Sequence, residues 1–180
     1  MELPKIDVQQ LKLPQLLNEL QTGRLQVPRF QREFVWSLSK TRRLLDSMYK
    51  EFPIGTFFLW RAPAGSPLLF RALTELGIPE PQDGADIAYI LDGQQRLSSL
   101  FVTINGKNLG GRDYGRISID LEIATCYDES TEEGFEEDIF VYHSGDNRRY
   151  IPVSDLVGSN ALMIFKGVPE EWQSAFNKEL

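Results

Sequence analysis

A short apolar run that stops at an Asp-Gly pair and then resumes with helical spacing constrains this chain more than any other feature. Ile87, Ala88, Tyr89, Ile90 and Leu91 are strand formers ending at a turn dipeptide, the pattern of a buried β-strand. Leu97, Leu100, Phe101 and Ile104 then recur at steps of three, four and three, with Asn105-Gly106 as a stop, which places them on one face of a helix. The spacing therefore predicts strand, tight turn, helix. Gly93 lets the backbone turn sharply, and Asp92 is placed to cap the free N–H groups of the first turn. Gln94, Gln95 and Arg96 add several neutral donors and one planar cation with no hydrophobic role. A helix N-terminus carries a partial positive charge and unpaired donors, so this turn suits a phosphate. The plainer alternative is an ordinary turn with Arg96 in solvent.

At 180 residues, 42% hydrophobic and 25% charged, the chain has the size and composition of one globular domain, or one domain with a short appendage. No apolar run reaches the roughly 20 residues of a membrane helix, and the first residues lack the form of a signal peptide. The single cysteine, Cys126, has no internal partner for a disulfide, which fits a cytoplasmic location. A net charge of −7 disfavours wrapping nucleic acid through the overall field. The charge is uneven, however. Arg24, Arg29, Arg32, Lys40, Arg42 and Arg43 cluster against Glu33 alone, so a local basic surface remains for a polyanion or nucleotide. The run from Asp128 to Asp138 is acidic without a base and reads as a solvated loop. There is no Walker loop, no Gly-x-Gly-x-x-Gly and no Cys/His cluster for zinc. His143, the only histidine, reads as an ordinary loop residue.

Along the chain, residues 8–22 read as a helix with Pro14 either in its first turn or breaking it. Residues 25–36 read as an edge strand interrupted by Pro28 and running into a loop, with Phe30, Phe34 and Trp36 as apolar anchors around Gln31 and Arg32. Ser37 or Ser39 caps a helix over 39–51, with Leu44, Leu45, Met48, Tyr49 and Phe52 as its buried stripe. Residues 54–60 read as a strand buried on both faces. A long connection over 61–85 carries one short helical turn within 68–76. Residues 105–111 form a polar link. Ile117, Ile119, Leu121 and Ile123 alternate with polar residues, as in a strand with one wet face. A further strand is expected at 139–142, residues 150–153 lead to a short helix from Ser154, and a terminal helix starts at Pro169. The last residues carry no cap or turn, as in a chain cut from something longer.

Four motifs in order, Val27-Pro28-Arg29-Phe30-Gln31-Arg32-Glu33-Phe34-Val35-Trp36, Phe52-Pro53-Ile54-Gly55, Leu91-Asp92-Gly93-Gln94-Gln95-Arg96-Leu97 and, more loosely, Ile119-Asp120-Leu121-Glu122 with Tyr150 to Leu156, resemble the GmrSD-type N-terminal domain of modification-dependent restriction and phage-defence proteins. The resemblance implies an α/β (α+β) fold of ParB/sulfiredoxin type, a mixed small sheet with flanking helices and a strand-turn-helix phosphate-binding loop. It divides the chain into an N-terminal helix (1–24), a nucleotide-binding domain (25–160) and a C-terminal helical segment (161–180). It implies binding, and in characterised members hydrolysis, of a nucleoside triphosphate that controls cleavage of modified DNA. Carried over by position, Gln31, Arg32, Gly93 and Gln94 bind the nucleotide, and Asp92, Gln95 and Arg96 act on it. In that scheme Arg96 and Arg32 clamp phosphate oxygens, a glutamine orients water, and Asp92 either caps the turn or holds magnesium. DNA and a His-Asn-His nuclease domain, appended or separate, are the implied partners, and cleavage by this chain alone is not expected. The alternative is a sensor that binds a nucleotide or DNA phosphate without chemistry. A ParB-like DNA nuclease ranks behind both.

Overall fold

The computed structural model describes residues 6–63, 74–82, 84–127, 137–145, 147–157 and 161–176. The class is the expected one, small sheets and several helices in a mixed α+β arrangement. The chain divides into two compact units, Met1–Gln31 with Leu59–Leu91, and Arg32–Phe58 with Asp92–Leu180.

In the first unit, helix α1 spans Leu13–Gln21 and buries Leu16, Leu17 and Leu20. It begins five residues later than the apolar spacing predicts. Pro14 sits in its first turn, where its missing N–H is harmless, and Val8 lies outside the helix, 92% exposed. Gly23 follows at φ +73, and a Cβ there would come within 2.9 Å of the Glu80 carbonyl oxygen, so glycine is required on both counts. Strands β1 (Leu25–Gln26), β2 (Phe58–Ala62) and β3 (Ile87–Asp92) form a sheet in the order β1-β3-β2, with β1 parallel to β3 and Leu25 opposite Ala88. The buried Gln26 amide donates to the carbonyls of Gly23 and Pro79, so a polar side chain is matched inside the unit. The strand expected at 54–60 begins four residues later and is not buried on both faces, because β2 is an edge strand: Phe58 is 51% and Trp60 46% exposed, with Trp60 stacked on Tyr89. Of the helical turn expected within 68–76, residues 74–76 form a 3-10 helix and 68–73 lie outside the described residues.

The second unit is built around a buried helix. Helix α2 (Leu38–Tyr49) starts at Ser37, whose hydroxyl accepts from the Lys40 N–H, a standard cap. Leu44, Leu45 and Tyr49 are buried, Met48 partly so, but Phe52 is 58% exposed: Glu51 takes φ +56 and breaks the helical phase before it. Helix α3 (Gln94–Ile104) buries Leu97, Leu100 and Phe101 as the spacing predicts, and also Ser98, Ser99 and Thr103 on its other sides. The Ser99 and Thr103 hydroxyls donate back to carbonyls of their own helix, so they enter the core without orphaned groups. The expected polar link contains a two-strand hairpin, β4 (Asn108–Leu109) with β5 (Arg112–Asp113), turned by Gly110 and Gly111 at φ +57 and +75, a conformation suited to such a loop.

Strand β6 (Ile117–Asp120) is the centre of an antiparallel sheet, between β7 (Phe140–Tyr142) and β8 (Tyr150–Pro152). The wet face expected for 117–123 is absent. All four strand residues are buried, and the chain turns helical at Leu121 to form α4 (Leu121–Cys126). Asp120 causes the switch: its carboxylate accepts from the Glu122 and Ile123 N–H groups and takes a bidentate pair from Arg149, both contacts 2.7 Å. That pairing holds the Arg149 guanidinium above its ordinary pKa, and such matching lets a carboxylate enter a core. Helices α5 (Val153–Leu156) and α6 (Ala161–Gly167) follow, and the helix expected after Pro169 is a 3-10 helix over Glu170–Phe176. The acidic run lies outside the described residues except Glu137 and Asp138, which are exposed.

Candidate functional site

The strand-turn-helix unit is present as predicted, but its side chains are used differently from the expectation. Gly93 is the N-cap of α3 at φ +91. Asp92 therefore does not cap the helix: it stands one residue too early, since capping belongs to the residue directly before the first turn. Its carboxylate, 75% exposed, reaches one turn along the helix to the Arg96 guanidinium at 3.3 Å. A Cβ on Gly93 would collide with the Phe57 ring and lie 3.2 Å from a terminal nitrogen of Arg96, so the turn needs glycine for space as well as for φ.

Arg96 is held rather than free. One terminal nitrogen donates to the Ile54 carbonyl, the other to the Thr56 carbonyl at 2.7 Å, and the guanidinium lies 5.0 Å from the Phe57 ring centroid. The side chain is 17% exposed. These contacts clasp the Pro53-Ile54-Gly55 loop onto the start of α3, and Gly55 admits the guanidinium where a Cβ would obstruct it. Gln95, 8% exposed, is equally occupied: its amide donates to the Glu33 carbonyl and to Gln94 Oε1, both at 2.8 Å, while its own oxygen accepts from the Val35 N–H at 2.9 Å. It fastens the 33–35 loop to the same turn. Phe34, packed 5.7 Å from Tyr114, helps anchor that loop. Phe30 does not serve as an anchor, being 75% exposed.

Gln94 differs from its neighbours. It is 4% exposed, its oxygen accepts from Gln95, and its Nε2 is shut off from solvent with no hydrogen-bond partner among the described residues. A buried unmatched donor costs on the order of 1–3 kcal/mol, and this one stands at the first residue of a helix, beside N–H groups that have no intrahelical acceptor. Arg32 is exposed and has no hydrogen bond or ion pair to a described residue. Gln31 belongs to the first unit, where its amide donates to the Leu91 carbonyl at 2.8 Å, the residue directly before Asp92. The turn thus gathers Asp92, Gly93, Gln94, Gln95 and Arg96, with Arg96 and Gln95 spent on backbone carbonyls. The carbonyls of Glu33, Ile54 and Thr56 and the ring of Phe57 are the participants that residue spacing missed. Glu33 lies in the Val27-to-Trp36 motif and Ile54 in the Phe-Pro-Ile-Gly motif, whereas Thr56 and Phe57 fall just beyond it and carried no signal of their own. Among the described residues no three or more His, Cys, Asp or Glu side chains cluster as a metal site.

These features define a small α+β domain organised on an Asp-Gly-Gln-Gln-Arg turn. The chain belongs to the GmrSD restriction endonuclease, N-terminal domain family, whose pattern matches residues 13–178. It is also 33% identical over 97 residues to the uncharacterised protein MJ0686 of Methanocaldococcus jannaschii, a match covering 52% of this chain and 17% of that protein. The chain therefore matches less than a fifth of that relative's length. No solved structure matches it. No described helix is long and apolar enough to cross a membrane.

Proposed function

We propose that this chain is the nucleoside-triphosphate-binding, regulatory domain of a modification-dependent DNA restriction system. The observation that carries this reading is the unmatched Nε2 of Gln94 at the N-terminus of α3: a phosphate oxygen supplies the acceptor it lacks and meets the free amides and positive end of the helix. Arg32, exposed and unpaired among the described residues, adds charge. Gln31 supports the strand end leading to the turn. Asp92 offers one exposed carboxylate oxygen, so magnesium, which keeps several waters and phosphate ligands, would be held chiefly by the triphosphate. DNA, and a nuclease domain appended or separate, are partners of the full system on this reading.

Catalysis by the turn would require Gln95 or Arg96 to leave its present carbonyl partners. That occupancy favours a second reading, in which the domain binds nucleotide or DNA phosphate as a sensor and performs no chemistry. Calorimetry with each nucleoside triphosphate, with and without magnesium, tests binding, and Gln94→Leu is expected to weaken it at least tenfold. Phosphate release measured on the same samples separates hydrolysis from sensing. Absence of heat with every nucleotide would refute both nucleotide readings.

A further inference from the structure

Away from the turn, the second unit carries a polar cleft of about 250 Å³ lined by Arg116, Ser118, His143, Ser144 and Tyr150, with Gly115, Gly145 and Pro152 completing its wall. We infer that this cleft binds a single phosphate group, as a phosphate monoester or as a phosphodiester of nucleic acid, through Arg116, the two serine hydroxyls and the unmatched imidazole of His143.

The position of each group follows from the sheet. Ser118 lies on the central strand β6, Arg116 two residues before it at the end of the 3-10 helix Tyr114–Arg116, and His143 and Ser144 directly after β7. Tyr150 opens β8 and stacks on His143, ring centroids 4.1 Å apart and 21° from parallel. That stacking fixes the imidazole. Arg149, bound to the buried Asp120 carboxylate, lies 5.4 Å from the other partner of the stack, Tyr150, so the wall rests on a partly buried ion pair. His143 Nε2 is closed to solvent and has no hydrogen-bond partner among the described residues, and a buried polar nitrogen without a partner is unfavourable until something supplies one.

Chemistry then selects the ligand. Arg116 is paired to Asp113 through Nε at 2.9 Å, and its side chain is 50% exposed. Its terminal nitrogens, the edge that grips phosphate in a fork, have no hydrogen-bond partner among the described residues. The Ser118 hydroxyl makes only a long 3.4 Å bond to the Arg116 carbonyl, and Ser144 is exposed. No carboxylate is among the described lining residues. A cation's fork, two hydroxyls and an imidazole suit a tetrahedral oxyanion, and the volume, below the roughly 300–1,000 Å³ of drug-sized ligand sites, has room for a phosphate and part of what it is attached to.

Because His143 is the only histidine, its imidazole C–H signals in carbon-edited NMR report this cleft without interference from the α3 turn. The full chain is titrated at fixed pH with inorganic phosphate, with a short DNA duplex ending in hydroxyls, and with chloride at matched ionic strength. A saturable shift with phosphate alone assigns the monoester, with duplex alone the phosphodiester, and with both the shared chemistry. Arg116→Ala is expected to weaken the response at least tenfold and Ser144→Ala severalfold. Both positions are substantially exposed, and an unchanged thermal melt checks that the fold is intact. A shift that chloride reproduces, no saturable shift from either ligand, or an undiminished response in Arg116→Ala overturns the assignment.

Discussion

Arg96→Met keeps most of the side chain's apolar stem and removes its fork, so it isolates what the guanidinium does. In the structure that fork donates to the Ile54 and Thr56 carbonyls and touches an Asp92 carboxylate that is 75% exposed. Hydrogen bonds from a charged donor contribute about 1.5–3 kcal/mol each, giving roughly 3–6 kcal/mol for two. The Asp92 pair, largely in solvent, adds only about 0.2–1 kcal/mol. Against this, Thr56 is exposed and Ile54 only half-buried, so their carbonyls recover water when the arginine goes. The net destabilisation expected is about 2–4 kcal/mol. Urea denaturation measures it, and hydrogen exchange should show faster exchange over residues 52–57 and near-parent protection in the distant sheet around β6. A variant within about 0.5 kcal/mol of the parent, a typical surface-substitution effect, would refute the clasp. If such a variant also lost nucleotide binding, Arg96 would instead be a direct phosphate ligand.

Other outcomes follow from buried charges. Asp46 on α2 accepts from the Ile139 and Phe140 N–H groups at 2.9 and 3.0 Å, yet burial, with Asp138 nearby, pushes its carboxyl up from 3.8 to about 6. The folded chain then binds more protons than the unfolded one between about pH 4 and 6, so stability falls as pH rises through that window, by up to ~3 kcal/mol at about 1.4 kcal/mol per pKa unit. Asp46→Asn should lack this slope, and a parent-minus-variant difference that stays constant from pH 4 to 7 in denaturation experiments would contradict it. Arg149→Met strands the Asp120 carboxylate, which is 2% exposed, and is expected to cost about 3–5 kcal/mol. Asp120→Asn on the Arg149→Met background should recover part of that loss in the same measurement.

Sequence alone determined the elements whose causes are local. An apolar run before Asp-Gly, a residue free to take φ +91 at Gly93, a serine cap at Ser37 and the three-four spacing of Leu97, Leu100 and Phe101 place β3, the turn, α2 and α3, because backbone sterics, capping and helical period act within a few residues. The same reading marked residues 92–96 as the chemically unusual stretch. Tertiary structure decided what those residues touch. Arg96 finds carbonyls 40 and 42 residues away, Gln95 a carbonyl 62 residues away, and Asp120 an arginine 29 residues on. A guanidinium aimed at a phosphate and one clasping a loop have identical spacing, and an alternating Ile-Ser-Ile-Asp strand looks half wet until a distant Arg149 makes burial of its carboxylate affordable. Periodicity records which face is apolar, whereas hydrogen-bond partners across the chain are set by packing, which no local pattern encodes.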